Sequence, residues 1–262
     1  MKQRRILTVL GVVFAVLCVA ATIIATLVTR SARSGFEKYT VRPAATQANG
    51  EPEPGGEGGS QTAPEKSAID FKALLKESND VAAWLRINGT AVDYPVMYRE
   101  GDNGYYLRRD LYGDYSNAGS LFIEDYNSPD FTDPVTIIYG HHLASGEMFG
   151  KLQATYTNAE TFKKCQEIIV YFSEKELHYK VFCAVPLDNA HILYYHDFDN
   201  ESVYADYFDQ MFQIRSLQAV FDEEYKPQPG DHVLMLSTCY STDYSRRFVV
   251  MAKLTDEFVY SE

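Results

Sequence analysis

The spacing of apolar and polar positions divides this chain into three stretches. Ile6 to Val28 is a predominantly apolar run of 23 residues without a charge. Arg42 to Lys66 holds almost nothing that could be buried. From Ser67 onward short apolar stretches alternate with Gly, Pro, Asn and Asp, and the periodicity within each predicts an element. Ser67–Asp70 reads as a capping signal, followed by Phe71, Leu74 and Leu75 at helical spacing. A second short helix is expected after Asn79-Asp80, carrying Val81, Ala82, Trp84 and Leu85, and Asn88-Gly89 marks a turn. Strands are expected over Ala91–Tyr98, Ser120–Glu124, Val135–Tyr139, Glu167–Phe172, His178–Val185, His232–Cys239 and Arg247–Leu254, most of them rich in Val, Ile, Tyr and Phe. Helical spacing returns over Asn158–Glu167 and over Ser202–Gln213, where Tyr204, Tyr207, Phe208, Met211 and Phe212 share a face. The sum is a single mostly-β (α+β) domain with peripheral helices, expected to close into a barrel.

The N-terminal apolar run sets the compartment. At 1.5 Å per residue it spans about 35 Å, enough to cross a bilayer with some tilt. The apolar core of a cleaved signal peptide is shorter, about 7–15 residues. Lys2, Arg4 and Arg5 precede it, so residues 1–5 are expected in the cytoplasm, 6–28 as a single-pass membrane anchor and everything after it outside the cell. Residues 29–66 read as a flexible extracellular linker, rich toward its end in Gly and Pro, and residues 67–262 as one catalytic-sized domain. Residues 1–42 carry a net charge of +6, which leaves −18 on the rest of a chain whose total is −12. Nucleic acid, which is held by basic patches, is excluded as a partner.

Four cysteines are present, with Cys18 inside the apolar run. The three outside it, Cys165, Cys183 and Cys239, cannot all pair internally. Cys165 and Cys183 sit among apolar residues and read as buried free thiols. Cys239 differs, because Ser237, Thr238, Tyr240, Ser241 and Thr242 surround it. It closes one strand-like run, Arg247 opens the next, and His141 ends the run Ile137–His141. A thiolate can attack a carbonyl, a guanidinium can sit where the oxyanion develops, and an imidazole can protonate a leaving amine. Adjacent side chains on a strand face opposite ways, so only one of His141 and His142, and one of Arg246 and Arg247, can meet Cys239. Ser237 shares the Cys239 face by the same period. His191, His196, Asp197 and Asp199 match no common zinc spacing and read as a solvated loop. Asp243 reads as a loop residue facing water.

Several strings taken together resemble the class B sortases, membrane-anchored cysteine transpeptidases of Gram-positive bacteria. They are Trp84–Thr90 leading into Val92–Val96, Tyr105–Leu107, Gly119–Ile123, Tyr139-Gly-His141 with Met148–Leu152, and Leu236–Cys239 with Arg247-Phe-Val-Val. The resemblance covers the exterior domain. It implies a closed β-barrel of about eight strands with N-terminal helices and a helix in the connection before the cysteine strand. It also implies Cys239 as nucleophile, His141 rather than His142 as acid and base, and Arg247 rather than Arg246 as the stabiliser of the oxyanion. Ser237, Thr238, Tyr240 and Tyr207 are the expected substrate-binding residues. Implied partners are secreted proteins with a C-terminal sorting motif of the Asn-Pro-x-Thr or Ser-Pro-x-Thr type and an amine on a cell-wall precursor. The thioester keeps the acyl group activated, so no nucleotide, metal or other cofactor is expected. Rival readings are a class B sortase that polymerises pilins, a secreted cysteine protease, and a non-catalytic binding module on a membrane stalk.

Overall fold

The computed structural model describes residues 35–41, 66–241 and 243–261. Residues 35–40 belong to a short separate unit holding one 3-10 turn, Glu37–Tyr39. All that follows concerns residues 41–262. The expected span 6–28 and nearly all of the expected linker lie outside the described residues. Among those described, no helix is long and apolar enough to cross a membrane.

The domain is built on nine strands: β1 (Val81–Ile87), β2 (Asp93–Tyr98), β3 (Leu121–Ile123), β4 (Val135–Tyr139), β5 (Glu167–Tyr171), β6 (Lys175–Asp188), β7 (Val220–Phe221), β8 (Val233–Tyr240) and β9 (Asp243–Val259). Their order is β5-β1-β2-β3-β4-β8-β9-β6-β7, and a further pairing of β5 with β6 closes eight of them into a barrel. Closure leaves the sheet almost without free edges. The strand β7 is a two-residue addition to the part of β6 that β5 does not reach. Five helices decorate the barrel: α1 (Phe71–Glu77), α2 (Leu152–Tyr156), α3 (Ala159–Lys164), α4 (Ile192–Tyr195) and α5 (Glu201–Gln213). Asp70 caps α1 by accepting from the Ala73 N–H at 2.9 Å. Asn158 and Asn200 cap α3 and α5 in the same way.

The structure differs from the sequence expectation at the N-terminal end of the domain. The segment from Val81 is not a second helix but β1, and α1 is the only α-helix before it among the described residues. β1 is paired on both sides, to β2 and β5. Val81, Ala83, Leu85 and Ile87 are buried at period 2, with Trp84 buried on the other face, and pairing on both sides overrides the helical preference of Ala82, Ala83 and Leu85. Its register is pinned by Asp93 on β2, which accepts from the Trp84 indole at 2.6 Å and from Arg86 Nε at 3.0 Å.

One face of the β4-β8-β9-β6 sheet positions the site. Register places Val135, Ile137 and Tyr139 of β4 beside Val233, Met235 and Ser237 of the parallel β8. The antiparallel β9 continues the rows with Met251 opposite Met235, Val249 opposite Ser237 and Arg247 opposite Cys239. The lower rows are apolar and covered by Tyr204, Tyr207 and Phe208 of α5 together with Phe198. Toward the C-terminal ends of β4 and β8 the same face turns polar, and there the helical cover stops.

Candidate active site

A cavity of about 330 Å³ opens where the cover stops. Cys239, Arg247 and His141 all line it, as do Ser237 and Tyr139. Cys239 and Arg247 are direct cross-strand partners on β8 and β9. Such partners have Cβ atoms about 4.5–5.5 Å apart, so the thiol and the guanidinium stem rise side by side. Leu187 of β6 flanks Arg247 on its other side. The parity that opposes Arg246 to Arg247 sends the Arg246 guanidinium over the Tyr240 ring, 5.2 Å from its centre. Arg246 does not line the cavity.

His141 lies two residues beyond β4, and two glycines place it. The Gly140 N–H continues the β4–β8 ladder by donating to the Ser237 carbonyl at 3.1 Å. A methyl group on Gly140 would meet Leu121 at 2.5 Å and Phe149 at 2.6 Å, so the turn to His141 requires that position to be bare. Phe149 N–H then donates to the His141 carbonyl at 3.1 Å and fixes the loop from its far end. The second is Gly119, with φ +58°, where an added Cβ would lie 2.6 Å from the Leu107 carbonyl oxygen. That approach, with Ser120 N–H donating to the Tyr106 carbonyl at 3.0 Å, holds the 3-10 turn Tyr105–Arg108 beside the histidine. The Leu107 carbonyl sits 2.7 Å from His141 Nε2. A carbonyl only accepts, so Nε2 carries the proton and Nδ1 is the basic nitrogen of the neutral ring. His142 pairs with Met148 in an isolated bridge and stays out of the cavity, and burial lowers its pKa.

The other predicted substrate-binding residues divide. Ser237 lines the cavity on the Cys239 face. Thr238 has the opposite parity and is 2% exposed, so it offers the cavity backbone rather than hydroxyl. Tyr240 is buried beneath Arg246 and does not line the cavity. Tyr207 is a core residue of α5, packed on Phe198 and Phe208 and against His196. Its large apolar body, which suggested a groove wall, covers the lower part of the sheet instead. Asp243 accepts from Ser245, and this bonding lowers its pKa. Cys165 and Cys183 are free and buried, and burial raises both thiol pKa values. Among the described residues no cluster of side chains is arranged to hold a metal ion.

Among the lining residues that were not expected at the site are Tyr139, Glu124 and His191. His191 is not in a solvated loop. Its Nε2 lies 2.6 Å from Glu124 Oε2 across the cavity wall. Tyr139 is one pleat below the site, and burial, then the charge and hydrogen bonding of Glu124, push its pKa up while Arg247 opposes them. The phenol therefore stays a neutral donor. Only Tyr139 had a signal in the sequence, its place two residues before His141.

Comparison with known proteins agrees with this geometry. Residues 85–255 match the model of the sortase domain family. Sortase B of Listeria monocytogenes is 31% identical over 189 residues, covering 71% of this chain and 74% of that protein. The crystal structure of sortase B from B. anthracis in complex with AAEK1 superposes with a TM-score of 0.63 at 27% identity, over 74% of this chain and 89% of that one. A Staphylococcus aureus sortase B–substrate complex gives 0.63 at 26% identity, over 71% and 85%.

Proposed function

Because the chain belongs to the sortase family, and within it to class B, we propose that Cys239, His141 and Arg247 carry its cysteine transpeptidase chemistry. Proteins of this class link other proteins to the cell wall. The observation that carries the assignment is the pairing of Cys239 with Arg247 across β8 and β9, with His141 on the same cavity. With its proton passed to His141, the Cys239 thiolate attacks the carbonyl carbon of a Thr in the sorting motif. The carbonyl π electrons move to oxygen, and the Arg247 guanidinium donates to that oxyanion. Collapse breaks the C–N bond, His141 supplies the proton that the leaving amine takes, and a thioester to Cys239 remains. An amine on a cell-wall precursor then attacks the thioester, His141 accepts its proton, and the thiolate departs.

The finer partners follow the same reading. The donor is a secreted protein with a C-terminal Asn-Pro-x-Thr or Ser-Pro-x-Thr motif. A related fold, that of a Staphylococcus aureus sortase B, has been solved in complex with a substrate, which supports a substrate site in this fold. Residues 6–28 anchor the chain in the membrane, 29–66 form the tether and 67–262 the catalytic domain outside the cell. The test is cleavage of quenched peptides carrying the two motifs, with a wall-type amine and a pilin lysine peptide offered together. The reading expects ligated product with the wall-type amine and none from Cys239→Ala. Equal inertness of both chains toward a broad panel would overturn it, and preferential ligation to the pilin lysine would redirect it to pilus assembly.

A further inference from the structure

Glu124 follows β3 directly, and its side chain is 17% exposed. The residue reaches in two directions. On one side its carboxylate meets His191 Nε2 at 2.6 Å. On the other its backbone continues β3, whose Phe122 pairs with Tyr139 of β4, and Glu124 and Tyr139 line the same cavity. His191 is itself fully engaged, because its Nδ1 accepts from the Tyr194 N–H at 3.1 Å and so caps α4. With Nδ1 an acceptor, Nε2 must carry the proton and donate it to Glu124. The ring is held further by Tyr126, 4.8 Å away.

The bond to His191 thus ties the part of the wall beyond the last β6–β9 pair, Asp188 with Arg246, back to the end of β3. Tyr139 belongs to the floor, beside Ser237. His191 belongs to the wall formed by Asp188 to Ile192, which leaves the sheet after Asp188, the last residue of β6. α4 is a single turn of four residues and cannot hold its own position. We propose that Glu124 is a positioning residue for the donor peptide: it ties the wall to the floor at a fixed width and thereby sets affinity for the sorting motif. This rests on the cavity being the peptide site, as inferred above. Glu124 acts through His191 and leaves the reacting atoms to Cys239, His141 and Arg247. A preorganised wall lowers the ordering cost of binding in the ground and transition states alike, so its loss raises KM more than it lowers kcat.

The test measures binding apart from chemistry. Affinity for a fluorescein-labelled Asn-Pro-x-Thr peptide, and for a Ser-Pro-x-Thr one, is read by anisotropy on the full chain carrying Cys239→Ala. That result does not depend on Cys239 being the nucleophile. Adding Glu124→Gln or His191→Ala is expected to weaken binding about tenfold each, the loss of one charge-assisted bond. The two together are expected to be no weaker than either alone, since one removes the partner of the other. With Cys239 intact, KM rises by the same factor, kcat stays within about threefold, and alkylation of Cys239 by iodoacetamide keeps its rate. Undiminished affinity in both variants overturns the proposal, as does additive weakening, or a fall in kcat with binding retained. His191→Ala, altering a part-exposed wall residue, carries the test by itself if Glu124→Gln does not fold.

Discussion

Arg247 is the residue on which geometry adds most to the sequence. Nothing in Ser245-Arg246-Arg247-Phe248 says which arginine faces the thiol, and only family likeness favoured the second. Strand register decides the placement, pairing Arg247 with Cys239 and laying Arg246 over Tyr240. Arg247→Ala is expected to lower the acyl-transfer rate about 10²–10³-fold, the usual effect of losing an oxyanion donor. Arg247→Lys should recover little, because a point charge does not replace a planar fork, and Arg246→Ala should stay near the wild-type rate. Peptide cleavage by the three variants checks this, and a slow Arg246→Ala beside a fast Arg247→Ala would exchange their roles. Cys239 and His141 were legible because each ends an apolar run in polar company. Glu124 and His191 were not, because they meet across 67 residues of chain and neither carries a pattern in its own neighbourhood.

Elements were legible where the run is rich in β-branched and aromatic residues. The Ser202–Gln213 stripe is the buried face of α5, and the Val-, Ile- and Tyr-rich runs became strands. β1 was misread because Ala82, Ala83 and Leu85 favour helix, and the pairing with β2 and β5 that overrides this preference comes from residues elsewhere in the chain. The length of β6 was also missed, since its first residues, Lys175 and Glu176, look like a loop. Those residues belong to the barrel seam, where β5, β6 and β9 meet. There Glu176 lies 2.7 Å from His178 Nε2 and accepts from the Tyr260 hydroxyl at 2.9 Å, and Phe258 packs its ring 4.9 Å from the His178 ring. Burial alone would lower the His178 pKa, but the hydrogen bond and charge of Glu176, then Glu167 and Asp256, outweigh it and raise it above 6.5. A raised histidine pKa stabilises the fold fully below the unfolded value and ceases to do so as pH climbs through the folded one. His178→Gln is therefore expected to lower the melting temperature at about pH 6, by on the order of 2–4 °C, and to matter less at about pH 8. Melting curves at the two pH values decide it, and a loss that grows toward pH 8 would contradict the assignment.

On the scale of the whole molecule, a closed barrel lends its rigidity to chemistry that needs three distant side chains. β4, β8 and β9 are neighbours in the sheet although about a hundred residues separate His141 from Cys239 and Arg247. Parallel β4 and β8 deliver their C-terminal ends to the same rim, and the hairpin from β8 to β9 brings Arg247 back to it. α5 seals the apolar part of that face, so the opening falls where the polar residues are. The barrel was foreseen from strand count and likeness to the family, while its closure by the long β6 was visible only in the structure. The most direct measurement of the central claim is intact-protein and peptide-map mass spectrometry of the chain, quenched in acid during turnover of a sorting-motif peptide. An adduct on Cys239 equal to the motif up to its Thr, released by hydroxylamine, is expected. Cleavage of the peptide with Cys239 unmodified, or an adduct on another residue, would contradict it.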